Sequence, residues 1–331
     1  MKTLYVIGNG FDIYHGLNTR YQIFALYLAE HHHEIYELLL QYYPLADLTD
    51  PDHTPADYGL WWRFEAALAD LDYREVLEDN SDYAASPGTG EWRDSQWHEY
   101  QIQMELIINK LTRDLIRAFV GFILSVDYKV AQTNPPLKFD QHSHFLNFNY
   151  TETLQRFYGL QDDRITYIHD KAAQVDSPIV LGHGTDPEKF REPEEREREG
   201  LTEEQLEYWR EKKSDEWDFS TNAAKEEILG YYGRAFKNCE RIVEEKEDFF
   251  SSLEDVEKVV VLGHSLSEVD IKYFQKLKAV VGENVQWQVS WYMDADKESH
   301  TQALLGLGVP LDRIELIRIE DLREDTDRNN N

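Results

Sequence analysis

The chain has 331 residues, 41% of them hydrophobic, including eight Trp, twenty Tyr and fifteen Phe; that is enough apolar surface for a sizeable core and excludes wholesale disorder. A formal net charge of −30 excludes a general nucleic-acid coat and an anionic membrane surface, while leaving room for one small anion held by backbone amides. The single cysteine, Cys239, excludes an intramolecular disulfide and a multi-cysteine zinc site, so a reducing, cytoplasmic setting without a bound metal is expected.

Met1–Ile7 reaches Gly8 after four apolar residues. That is too short for the apolar stretch of a signal peptide, and no run of eighteen apolar residues predicts a transmembrane helix. Thr3–Ile7 reads as a buried strand. Gly8-Asn9-Gly10-Phe11-Asp12 follows it directly. Glycine permits a sharp turn and close ligand approach, and a helix starting there would aim free amides at a phosphate. Ile13 stands where the dinucleotide fingerprint wants a third glycine. Asp12 would repel a phosphate, so it suits a helix cap or a ribose hydroxyl.

Helical spacing of apolar residues then runs from Tyr21 to Tyr43 and from Trp92 to Ser125, clearest at Ile102, Leu106, Ile107, Leu111, Leu115, Ile116 and Phe119. Asp47–Pro55 and Ser81–Gly90 read as loops. Trp61-Trp62 reads as core. His31-His32-His33 lies in a helical stretch, where neighbours point apart, so no metal site is expected.

Further short strands are predicted at His144–Phe148, Ile165–Ile168, Pro178–Leu181, Lys258–Leu262, Val285–Trp291 and Arg313–Ile319. Several end in polar or glycine-containing motifs. These are Asn147-Phe148-Asn149-Tyr150-Thr151, Ile168-His169-Asp170, Leu181-Gly182-His183-Gly184 and Gly263-His264-Ser265-Leu266-Ser267-Glu268-Val269-Asp270. Ligands of open α/β sheets sit outside such strand ends. Asn149 can hold a ribose or an amide there, and His169 can act as a general base; Asn and Thr are also ordinary helix caps.

The strands and helices together predict an α/β fold. It has a Rossmann-like, mostly parallel sheet with helices on both faces. Its core takes residues 1–24 and 126–322, with a charge-dense acidic insertion at 186–222 that includes a surface helix at Leu201–Lys213. A helical insertion takes 25–125, and 323–331 reads as a disordered tail.

The opening Ile7-Gly8-Asn9-Gly10-Phe11-Asp12-Ile13-Tyr14-His15-Gly16-Leu17 resembles the signature of the bacteriophage abortive-infection AbiH family. The Asn147–Thr151 segment, the Gly182-His183-Gly184 turn and Gly263-His264-Ser265-Leu266 match that family too. The series is more distantly similar to sirtuin-like NAD-binding proteins. Gly8, Gly10 and His15-Gly16-Leu17 keep the spacing of the sirtuin glycine turn, Asn149 matches its Asn, His169 falls at its catalytic His, and Gly263–Leu266 resembles its Gly-Thr-Ser-Leu. Thr151 and Asp170 depart from the sirtuin pattern.

The resemblance implies an anti-phage protein that binds NAD and cleaves the nicotinamide–ribose bond. Asn149 and His169 would be catalytic. Gly8, Asn9, Gly10, Asp12, Gly16, Asn149, Gly263, His264 and Ser265 would hold the nucleotide. His183 and His264 stand as alternative bases. A non-catalytic nucleotide sensor and a nuclease toxin are the other readings. A phage-derived trigger and a second copy of the chain are the partners left open.

Overall fold

A computed structural model of the chain describes residues 2–52, 59–84, 98–129, 134–140, 143–192, 202–203, 205 and 218–323. Six strands form one parallel sheet: β1 (Thr3–Ile7), β2 (His144–Asn147), β3 (Ile165–Tyr167), β4 (Lys258–Leu262), β5 (Gln286–Ser290) and β6 (Ile314–Ile317). Their order is β3-β2-β1-β4-β5-β6. All adjacent pairs run parallel. This is the doubly wound, Rossmann-like order, whose direction of strand succession reverses between β1 and β4.

The sheet is buried on both sides because its strands are apolar on both. Leu4, Val6, Val259 and Val261 face a core that also holds Phe250, Phe274, Leu277 and Leu304. Tyr5, Ile7, Val260 and Leu262 face Phe11, Phe145 and Leu154. Helices Cys239–Glu245, Ile271–Val280 and Asp294–Gly306 cover the first face, and the short helices Asn9–Tyr14 and Thr153–Tyr158 lie on the second. Alternate side chains of a strand point to opposite faces, so five such residues serve two cores.

A helical layer follows β1. Its helices are Tyr21–His31 and His33–Tyr42, broken at His32, then Tyr73–Asp79 and a long helix from Glu99 to Leu124 interrupted by a π turn at Lys110–Asp114. Phe24, Leu39, Trp61, Met104, Ile108 and Phe119 fill its core. That core also contains Tyr150, Ile179, Leu181, Ile228 and Tyr231 from the rest of the chain. Trp61 is buried, as expected, but Trp62 is exposed.

One strand expectation fails. Pro178–Leu181 lies outside the sheet. Pro178 has no N–H to give a ladder, and Val180 makes a single backbone bond, to the carbonyl of His169. Ile179 and Leu181 are apolar because they pack into the helical core, which a short run cannot distinguish from a sheet. The expected helix at 201–213, apart from 202–203 and 205, residues 193–200 and the expected tail beyond Arg323 lie outside the described residues; Arg323 itself is placed, donating to the Tyr14 hydroxyl at 2.9 Å. No helix among the described residues is long and apolar enough to cross a membrane.

Candidate functional site

The chain brings the motifs of β1, β2, β3 and β4 together at the carboxyl ends of the strands. The turns after β1 and β4 touch. Gly10 N–H donates to the Gly263 carbonyl at 2.8 Å, and Gly8 N–H to that of Leu262 at 2.9 Å. A Cβ at Gly8 would lie 2.6 Å from His264 Cα, and one at Gly263 would lie 2.2 Å from the Phe11 nitrogen. Gly263 also has φ +68°, a conformation that favours glycine. These glycines therefore let two backbones pass at the switch point. Gly16 ends the helix Asn9–Tyr14. Its N–H bonds Ile13 O and Leu17 N–H bonds Asp12 O, the paired bonds of a Schellman terminus.

Asn149 is buried, and its Nδ2 donates to the Gly8 carbonyl at 3.0 Å. Its own N–H is accepted by Asn147 Oδ1. Asp12 is also buried. It accepts hydrogen bonds from Thr151 Oγ1 at 2.7 Å and Thr153 Oγ1 at 2.6 Å. Burial pushes its pKa up to about 6, against the hydrogen bonds of Thr153, Thr151 and Asn149. Asp12 thus ties the first helix to the segment after β2. Asn9 is half-buried and exchanges hydrogen bonds with Thr19. Ser265 is exposed at the rim.

A second polar group lies beside this one, between the sheet and the helical layer. His264 Nε2 is 3.3 Å from Asp270 Oδ2, and His169 Nε2 is 3.7 Å from Asp270 Oδ1. Lys237 Nζ lies 3.0 Å from Asp270 Oδ1 and also pairs with Glu65 of the helical layer. Tyr21 donates to the same Glu65 carboxylate. Lys237 is 1% exposed and His169 2%. Phe148 packs its ring between the two histidines, 5.5 Å from His169 and 4.4 Å from His264.

The hydrogen bonds assign the histidine tautomers. His264 Nδ1 accepts from the Leu266 N–H at 2.9 Å, so its ring proton sits on Nε2 and faces Asp270. His169 Nε2 is buried with no hydrogen-bond partner. Its ring bonds the Phe148 backbone, which leaves Nδ1 as the donor and Nε2 as an open lone pair. Burial first, then Lys237, holds the His169 pKa well below the usual imidazole range. Burial alone would raise Asp270, but Lys237 and the hydrogen bond from His264 overcome it and keep the carboxyl ionised. Lys237 is likewise held charged, because Asp270 and Glu65 outweigh its burial.

Two backbones here are unusual. Asp170, directly after His169, has φ +60°, and Leu266, directly after Ser265, has φ +53°. Such values are uncommon for non-glycine residues and rarest for large apolar ones such as leucine.

His183 is separate from this group. It is fully buried among Phe190, Tyr232 and Phe236, and burial lowers its pKa to about 4. Its backbone pairs with residues 235–237, and a Cβ at Gly182 would meet the Ala235 carbonyl at 2.1 Å. The Gly182-His183-Gly184 turn therefore seats Lys237. An open groove lined by Gln275, Lys278, Gly282, Glu283 and Leu307 lies where helices return to the amino ends of β5 and β6, at the far end of the sheet from these groups.

Lys237, Glu65 and Tyr21 are the site residues that no strand-end motif signals; Asp270 closes the motif that begins at Gly263. No curated protein and no solved structure matches the chain. A family model, Bacteriophage abortive infection AbiH, matches residues 4–291, from β1 through β5, and the chain belongs to that family.

Proposed function

We propose that the chain is an abortive-infection defence protein that binds NAD at the β1–β4 switch point and hydrolyses its nicotinamide–ribose bond. Family membership supports the defence role. The dinucleotide-binding strand order supports a nucleotide ligand. The observation that carries the chemistry is the open Nε2 of His169, buried beside a carboxylate at the end of β3.

In this reaction the bond between nicotinamide nitrogen and ribose C1′ breaks, and its electron pair leaves with nicotinamide. Water adds to C1′ and passes a proton to the unprotonated His169 Nε2, a weak base here because burial and Lys237 both oppose the imidazolium. Asp270 then offsets the new imidazolium charge. In this reading Asn149 positions the ribose or the attacking water, and Gly263 and Ser265 contact the adenosine side. Asp12 braces Asn149 through the segment after β2.

The amides of Gly8 and Gly10 already bond within the protein, and this favours a second reading, a non-catalytic nucleotide sensor. Purified protein, alone and with phage lysate, should bind NAD in calorimetry and consume it. His169→Ala should lower turnover by about 10²-fold or more while leaving binding within a few-fold. Protection against phage that survives His169→Ala and Asn149→Ala unchanged would favour the sensor. The absence of binding to both NAD and ADP-ribose would overturn the nucleotide reading.

A further inference from the structure

Lys237 is a cation with no exposed surface on its side chain, and no motif of the sequence marks it. It stands between two carboxylates from different layers. Glu65 follows Trp61 and Phe64 in the helical layer, whereas Asp270 opens the helix that follows β4. An isolated ammonium in this position would be expelled or lose its proton, so the two carboxylates are what permit it. Its backbone is fixed independently, by hydrogen bonds from its N–H to the His183 carbonyl at 2.8 Å and from the Cys239 N–H to its carbonyl at 2.9 Å. The ammonium therefore has little freedom to follow either carboxylate alone.

We propose that Lys237 is a positioning residue of the site: held between Glu65 and Asp270, it fixes the carboxylate that orients His264 and helps keep His169 unprotonated, which makes the helical layer an essential part of the site. Three observations converge on this. Asp270 shares Oδ1 between Lys237 at 3.0 Å and His169 at 3.7 Å, so the lysine is the nearer partner. Asp270 Oδ2 is left for His264. The His169 Nε2 has no hydrogen bond of its own, so beyond its burial the charges around it bear directly on how tightly it holds a proton. Those facing it are Asp270, Lys237 and His264, with the rings of Tyr150 and Tyr273 packed against it and Glu65 and Tyr21 beyond Lys237. Loss of the lysine charge would leave Asp270 unbalanced beside His169, and the imidazole would hold a proton more tightly.

The proposal rests on His169 being the working base, but its test reads protonation and needs no substrate. Imidazole nitrogen NMR spectra of the full chain are followed from pH 5 to 8.5, with the His169 signal assigned by its loss in His169→Gln. In the unaltered protein His169 should remain neutral, with its proton on Nδ1. In Lys237→Met its proton affinity should rise by about tenfold or more, one pKa unit, while His33 at the surface does not move. Lys237→Arg, which keeps the charge, should leave His169 neutral. If Lys237→Met does not fold, Lys237→Met with Glu65→Gln removes one stranded carboxylate and should show the same rise. A folded Lys237→Met, or that double variant, with an unchanged His169 titration would overturn the proposal. NAD left intact by a protein whose His169 responds as described would instead count against the hydrolase reading alone.

Discussion

Asp12 lies on the first short helix, with the hydroxyls of Thr151 and Thr153 on its two oxygens. Neutral donors return less than burial costs a carboxylate, so its pKa rises to about 6 from an ordinary value of 3.8. The folded protein then holds a proton between those values that the unfolded chain releases. The stability from the protonated form is complete below pH 3.8 and is lost as pH rises through about 6. The full change is about 3 kcal/mol. Asp12→Asn has no charge to bury. Relative to the unaltered protein it should gain about that much stability between pH 4 and 7.5 in urea denaturation. A difference that stays constant with pH would show that Asp12 ionises as freely in the fold as out of it.

The elements meet at the switch point through glycine. The β4 turn passes so close to the start of the first helix that Gly263→Ala would place a methyl on the Phe11 amide, in a backbone conformation alanine avoids. Gly159, at φ +65°, has open space around its missing Cβ. Gly159→Ala should cost only the backbone strain, about 1–2 kcal/mol. Gly263→Ala should cost clearly more, beyond about 3 kcal/mol, because the two turns must part. Equal losses in denaturant melts would mean that the contact between turns contributes nothing.

The same distinction explains what the sequence made legible. Six strands were readable because each is a short apolar run ending in a polar or glycine turn, and β1 and β4 carry the glycines that mark the switch point. His169, His264 and Asn149 were visible because they sit at or just beyond strand ends. Pro178–Leu181 looked the same as a strand, yet its apolar residues serve the helical core. Lys237 and Glu65 were invisible because their pairing is made by packing between segments more than a hundred residues apart. The glycines read in the sequence as a phosphate cradle; in the fold they let two backbones pass closely, and the amides of Gly8 and Gly10 bond within the protein.

At the scale of the whole molecule, the helical layer is joined to the sheet by more than chain connectivity. Tyr231 and Tyr232 donate to the Leu68 and Leu71 carbonyls, both at 2.8 Å. Tyr150, Ile179 and Leu181 complete the helical core, and Lys237 adds an ionic link through Glu65. Removing either layer would strip apolar surface and hydrogen-bond partners from the other, so neither has a sealed core alone. Unfolding should therefore be cooperative across both layers, even though the chain is long enough for two domains. Native-state hydrogen exchange in rising denaturant tests this. The amides of Tyr100–Leu124 and of Lys258–Leu262 should lose their slowest protection at the same denaturant concentration. Helical amides that open first, with the strands still protected, would mean that the layer detaches. Glu65 would then leave Lys237 without unfolding the sheet, and the charge balance at His169 would be open to control by whatever binds the helical layer.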